Sequence, residues 1–258
     1  MLSRYTIKAL YALALAEGEG MGTAYEYYAK RLALGRWLKG RPRPASILVA
    51  GLPEKYGASL DFLLLAGELG AAVTVVDDRP AALARLRGAL AALGESPLPL
   101  ARPSAIVLTD LPRLATLAGR FDLALSSEVL QRLAAAKRPA YVAALRARAG
   151  AVALFAPNAD NSAHTGRSGL AGLRLEEMRA LVVETAVGGR PLAVVSGYID
   201  MPPFPPGITR SDAQREQATQ GAFEAAVMGG LRLYAHGERF LPAALRQRQS
   251  HIVYALAD

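Results

Sequence analysis

The sequence predicts an α/β domain built on a doubly wound, mostly parallel sheet, with helices ahead of it and a C-terminal extension forming a cap. Three observations predict it. Short apolar runs alternate with helical stretches along the middle of the chain. Those runs are apolar at nearly every position, as strands covered on both faces must be. The 258 residues, 52% of them hydrophobic, suffice for one large domain of this class with a small cap.

Residues 1–44 read as an N-terminal helical cap. Tyr5, Leu10, Leu13 and Leu15 give one helical stretch, Glu17 to Gly22 breaks it, and Thr23 is placed to cap a second helix through Leu38. Arg41-Pro-Arg-Pro44 is a stiff connection that ends the helical region. A domain over 45–200 follows: strand Ile47–Ala50, helix Leu60–Leu69, strand Val73–Val76, helix Pro80–Leu93, strand Ile106–Leu108, strand Leu123–Leu125, helix Glu128–Leu133, helix Tyr141–Arg148 and strand Val152–Phe155. Arg174–Ala180 reads as a short helix, with Val182–Thr185 and Leu192–Ile199 as later strands. In the extension over 201–258, Met201-Pro-Pro-Phe-Pro-Pro-Gly207 cannot be regular structure because its prolines lack backbone donors. Helices are expected around 211–235 and a closing strand over His251–Leu256.

The ends of the first two strands carry the functional signal. The run Ile47–Ala50 stops at Gly51, and the next apolar run ends in Asp77-Asp78. A glycine at the first turn lets backbone approach a ligand, and a carboxylate at the tip of the second strand can accept both hydroxyls of a ribose. An adenosine-type cofactor is the expectation.

Four segments together resemble the class I S-adenosylmethionine-dependent methyltransferases, over roughly residues 20 to 185. Phe121-Asp-Leu-Ala-Leu-Ser-Ser-Glu-Val-Leu-Gln-Arg-Leu133 looks like that family's fourth-strand motif. Val75-Val-Asp-Asp-Arg-Pro80, Leu108-Thr-Asp-Leu-Pro112 and Gly150-Ala-Val-Ala-Leu-Phe-Ala-Pro-Asn158 fall in matching order. The resemblance implies a seven-stranded, Rossmann-like sheet, S-adenosylmethionine as cofactor, and methyl transfer to an oxygen or nitrogen of a small-molecule or lipid-like acceptor. Three positions depart from the pattern. Val49 stands where the family has an acidic residue, and Pro53 replaces the middle glycine of the first motif, the next glycine being Gly57. Arg132 stands where the fourth motif usually has histidine.

Carried over residue by residue, the resemblance implies Gly51 for close approach, Gly57 for positive φ in the loop, Asp77 for the ribose and Asp110, with Leu111 beside it, for the adenine. Leu52 and Ser126 would flank the methionine end and Glu128 would line the pocket. Asp78 either joins the cofactor site or caps the helix beginning at Pro80. The plainer alternatives stay open: Asp110 as a turn former, Glu128 as a first-turn carboxylate. His164, in a polar loop leaving the fifth strand, is the candidate general base, with Asn158 and Asn161 as orienters near the acceptor. Tyr27, a candidate acceptor contact, would with Tyr25 and Tyr28 form part of a lid over the cofactor, the plainer alternative being that one tyrosine face packs on the sheet.

The absence of cysteine excludes disulfides and thiolate chemistry, and the three histidines share no metal-ligand spacing with a carboxylate. The net charge of +8 is carried mostly by arginine, which is either a matter of composition or an affinity for an anionic acceptor, a membrane surface or nucleic acid. Nucleic acid is left open but not indicated, since no segment interleaves basic and aromatic residues. No transmembrane segment is expected, and Glu17 and Glu19 argue against reading Ala9–Ala16 as a signal peptide, so a cytoplasmic protein is expected. A homodimer is compatible with the sequence. Two alternatives accompany the enzyme: a non-catalytic scaffold whose first motif has decayed, favoured by Val49 and Pro53, and a nicotinamide oxidoreductase, disfavoured by the lack of Gly-x-Gly-x-x-Gly.

Overall fold

The computed structural model describes residues 5–54, 57–94, 97–111, 114, 117–184, 193–203 and 222–258, with side chains of the last segment described from residue 226. Nine helices among these are α1 (Ile7–Ala16), α2 (Met21–Trp37), α3 (Leu60–Leu69), α4 (Pro80–Leu93), α5 (Arg138–Arg148), α6 (Ser162–Ser168), α7 (Leu175–Glu184), α8 (Ala222–Gly237) and α9 (Ala243–Gln249). The strands are β1 (Ser46–Ala50), β2 (Ala72–Asp77), β3 (Ala105–Leu108), β4 (Phe121–Ser127), β5 (Ala149–Pro157), β6 (Val194–Ile199) and β7 (Ile252–Ala257). They form one seven-stranded sheet in the order β3-β2-β1-β4-β5-β7-β6. The five strands from β3 to β5 in that order are parallel, and β7 runs antiparallel between β5 and β6.

Two apolar layers explain why the central strands read as continuous hydrophobic runs. Ile47, Val49, Val73, Val75, Leu123, Leu125 and Phe155 face a core shared with α1–α4 and α8. Leu48, Ala50, Val76, Ala124, Val152 and Leu154 face a second core with α5 and α7. Local signals set several boundaries. Thr6 caps α1 through its side chain, Pro80 opens α4, and Gly70 at φ 61° closes α3 in the left-handed region. Gly67 lies inside α3, where a Cβ would come within 1.5 Å of the Pro99 carbonyl oxygen, so only glycine allows that backbone to cross the helix.

Several sequence expectations need correction. Helix α2 begins at Met21 behind Gly20, and Thr23 bonds Glu19 from inside it. The stretch after β4 is only a 3₁₀ turn at Leu130–Arg132, because Glu128 takes φ 55° and breaks the path into a helix. Val182 belongs to α7, its side chain buried in the second core, and so is not in a strand; Thr185 lies outside the described residues. The polar stretch after β5 contains α6, and α9 was not foreseen. The extension does more than cap the domain, since its last strand completes the sheet between β5 and β6. Of the proline-rich segment, 204–207 lie outside the described residues, as does the part of the expected 211–235 helical region before Ala222. No helix among the described residues is long and apolar enough to cross a membrane.

Candidate functional site at the carboxyl edge of the sheet

Because β1, β2, β4 and β5 are parallel, their exits share one edge of the sheet. The register also brings the end of β6 and the start of β7 there, with Ile199 opposite Ile252 and Pro157 opposite Ile252. Gly51, Asp77, Glu128, Asn158, Asp200 and His251 are the residues at those ends. Helix α2 crosses above them and adds Glu26 and Lys30.

The first motif folds into a compact turn. Gly51 has φ 77° and donates its N–H to the Val76 carbonyl at 2.8 Å. A Cβ on it would sit 2.6 Å from Val129 Cγ2, so the glycine also permits the turn to lie against the exit of β4. Leu52, buried, donates its N–H to Asp77 Oδ2 at 2.6 Å. Gly57 has φ 80° and lies against Glu17, which accepts hydrogen bonds from the N–H groups of Ala58 and Leu60 and from the Tyr27 hydroxyl at 2.5 Å. Val49, in the place of the acidic residue, is packed in the core.

Asp77 is fully buried, and both of its oxygens are engaged. Arg79 bonds it with Nε to Oδ1 at 2.8 Å and Nη2 to Oδ2 at 2.9 Å, and Arg132 reaches Oδ2 at 3.2 Å and Asp78 at 2.8 Å. Arg79 also donates to the carbonyls of Leu52, Pro53 and Glu54. Burial would raise the Asp77 pKa; the hydrogen bonds from Arg79 and Leu52 and the charge of Arg132 outweigh it and hold the carboxyl below its ordinary range. Neither arginine figured among the expected site residues. The signal available was the position of Arg79 two residues after the strand-tip aspartate and of Arg132 where histidine was expected.

A second group lies at the exit of β4. Lys30, only 2% exposed, contacts Glu26 at 2.9 Å, Asp61 at 3.2 Å and Ser127 Oγ at 3.4 Å. Burial would push its ammonium down, and the two carboxylates more than reverse that. Glu128 is pushed up to about 8 by burial and then by Glu26, against the pull of Lys30, with Glu19 and Glu54 adding to the rise. Carboxylates therefore outnumber cations here, and a positively charged ligand would relieve them.

A third group closes the edge. His251 Nδ1 meets Asp200 Oδ2 at 3.2 Å, and its ring stacks on His164 at 4.0 Å with planes 16° apart. Burial would lower the His251 pKa, but Asp200 raises it overall. His164 goes the other way, down to about 4, through burial and the neighbouring His251. Asp200 has φ 63°, a left-handed aspartate at the end of β6 that no sequence pattern announced.

The remaining expected residues are placed as follows. Ser126 is buried and shares a hydrogen bond with Tyr141, whose hydroxyl donates to the Ala50 carbonyl. Asn158 and Asn161 spend their amides on the carbonyls of Gln247, Gln249 and Ser250, clasping the approach to β7. Asp110 is exposed beyond β3 and Leu111 is buried beside it. Tyr25, Tyr27 and Tyr28 are buried and bonded to Glu238, Glu17 and His236 respectively.

No protein-family model matches the sequence, and no curated protein matches it. Solved structures do match in shape. The methyltransferase domain of a bacterial Hen1 (CtHen1-CN) is 15% identical, aligns over 89% of this chain and 97% of its own, and gives a TM-score of 0.53. The plantazolicin methyltransferase BpumL in complex with SAH is also 15% identical, over 92% of this chain and 84% of its own, with a TM-score of 0.52. The chain has the class I methyltransferase fold. In a methyltransferase fold of this strand order, the residues at the carboxyl edge can be tested against the cofactor. Asp77 and the Gly51–Leu52 turn would be the groups to hold an adenosyl moiety, provided that Arg79 released the carboxylate. The surplus of acidic groups around Glu128 would suit a cationic sulfonium and an amino group. The residues fit.

Proposed function

We propose that the protein is an S-adenosylmethionine-dependent methyltransferase acting on an oxygen or nitrogen of a small-molecule or lipid-like acceptor at this edge. The observation that carries the reading is the bond between Asp77 at the tip of β2 and the Leu52 N–H in the glycine turn of β1, within this strand order. Gly51, Leu52 and Asp77 would hold the adenosyl part, with Asp78, Asp110 and Leu111 at its margin, and Gly57 would shape the loop. Glu128 and Glu26 would offset the positive charge. When bound, the cofactor supplies a methyl group already activated on a cationic sulfur, which leaves the protein to align, exclude water and accept a proton.

For the proton the chain offers His251. Its Nδ1 is held by Asp200, which orients the ring and favours the imidazolium formed when Nε2 takes a proton. His164, the base expected from sequence, has too low a proton affinity for that role and serves better as the stacked wall that fixes the His251 ring. Calorimetric titration with S-adenosylmethionine, S-adenosylhomocysteine and NAD tests the reading. Micromolar binding of the two sulfur nucleotides alone supports it; no binding of either overturns it. A second reading, a non-catalytic scaffold, is favoured by one observation: Asp77 is already satisfied by the chain's own Arg79 and Arg132.

A further inference from the structure

A cleft away from the cofactor turn gathers positive charge with little to balance it. It is a cavity of about 40 Å³ between α2, the β6–β7 edge and the segment joining α8 to α9, lined by Arg36, Arg239, Arg246, Tyr198, Tyr254 and Glu238, among others. Neither Arg36 nor Arg239 forms an ion pair or hydrogen bond among the described residues; Arg239 only covers the Phe240 ring, at 4.5 Å. Arg246 uses Nε on the Leu241 carbonyl at 3.3 Å, and its terminal nitrogens bond nothing among the described residues.

The electrostatics agree with the geometry. Burial lowers the Arg36 pKa and Arg239 lowers it further, against Tyr254 and Glu238. Beside the cleft, His236 is held below its ordinary value by burial and then by Arg232, Arg36 and Arg239. Glu238 is the one carboxylate in the lining. Its Oε2 accepts from the Tyr25 hydroxyl at 2.8 Å and the Met201 N–H at 3.2 Å, and burial pushes it up to about 7, so it is a weak counter-charge. The hydroxyl of Tyr254 has no hydrogen-bond partner among the described residues, and it is close enough to Arg36 and Arg246 to feel both charges.

We propose that this cleft is a binding site for a phosphate group, with Arg36, Arg239 and Arg246 supplying the charge and Tyr254 a neutral donor. Guanidinium groups match the oxygen spacing of phosphate and bind it by paired N–H donors, which a diffuse basic surface does not arrange. Arginine can hold its charge in a half-buried cleft that would neutralise lysine. The site is independent of the cofactor reading, so either can fail alone.

Thermal unfolding of the full chain in inorganic phosphate, glycerol phosphate or chloride at constant ionic strength tests it. The expected result is a saturable rise in melting temperature with the phosphates and none with chloride, reduced at least tenfold in apparent affinity by Arg36→Gln with Arg239→Gln. Among the described residues those two side chains make no ion pair or hydrogen bond, so the double variant should fold; Tyr254→Phe, expected to weaken binding more modestly, provides a second check. Tighter binding of glycerol phosphate identifies a phosphoester ligand, and tighter binding of inorganic phosphate identifies free phosphate. Equal responses to chloride and phosphate, or an undiminished response in the double variant, would overturn the proposal.

Discussion

Replacing Arg79 with alanine should lower the stability of the protein and raise its affinity for S-adenosylmethionine, two effects of opposite sign from one side chain. Arg79 bonds Asp77 at 2.8 and 2.9 Å, and Asp77 is wholly buried while Arg79 is 28% exposed. A hydrogen bond to a charged group nets about 1.5–3 kcal/mol. Exposure on the arginine side brings the whole pair down to roughly that figure rather than twice it. A ribose that needs the same oxygens must first displace the guanidinium, so the same free energy is subtracted from cofactor binding, about tenfold to a hundredfold in Kd. Alanine removes that competition. Asp77 keeps the Leu52 N–H, its bond from the Arg79 backbone N–H at 2.8 Å and Arg132 at 3.2 Å, so it remains ionised and in place. A counter-effect comes from the carbonyls of Leu52, Pro53 and Glu54, which lose their shared donor. The turn itself stays anchored by the Gly51 N–H on Val76, so the release of Asp77 should dominate. Calorimetry for affinity and calorimetric melting for stability check both signs, with a melting temperature lower by about 2–4 °C per kcal/mol lost. If affinity falls together with stability, Arg79 builds the cofactor turn and does not block it, and the reasoning fails.

Three further outcomes follow from the buried charges. By proton NMR, His164 should titrate near 4 and His251 above the ordinary histidine value, and Asp200→Asn should lower His251 while leaving the fold intact; two unshifted histidines would remove the paired-base assignment. Urea unfolding should show higher stability at about pH 5.5 than at about pH 8.5. Glu17, Glu128 and Glu238 are raised by burial to about 7, 8 and 7, so the folded chain binds protons that the unfolded chain releases above about 4.5. Their stabilisation is complete below that and lost as pH rises through the folded values; His251 adds the same sign above about 6.5, while His164, between about 4 and 6.5, and His236, also depressed, oppose. Lys30→Met should destabilise the fold by about 3–5 kcal/mol, because Asp61 and Glu26 lose the cation between them, and a change under about 1 kcal/mol in the urea midpoint analysis would show that those acids simply take up protons.

What the sequence disclosed and what it withheld divide along a physical line. Helices α3 and α4 fall where they were expected, because proline and glycine mark their ends and apolar residues their buried faces. The Gly51 turn and the Asp77 tip were legible because they depend on local backbone conformation and on one residue at a strand end. The departures were long-range. Nothing local says that a strand begun at Ile252 will insert between β5 and β6, yet that insertion carries His251 to Asp200 and His164, residues 51 and 87 positions away in the chain. Nor does the sequence reveal that the basic residues after two recognised motifs, Arg79 and Arg132, turn back onto the aspartate of one of them. Lys30 was hidden in another way: at four residues from Glu26 it reads as a solvated surface pair, and only the tertiary approach of Asp61 and Ser127 buries it.

The same distinction bears on catalysis. Local motifs specify where a nucleotide can lie, because a strand, a turn and a strand-tip carboxylate are contiguous pieces of one βαβ unit. The groups that would act on the acceptor come instead from β6, β7, α2 and α6, brought together only when the last strand closes the sheet. A chain that failed to insert β7 could retain the Asp77 turn and still lack the His251–Asp200 pair. Cofactor affinity and methyl transfer should therefore separate in variants of the C-terminal strand, whereas variants of the first turn should lose both together.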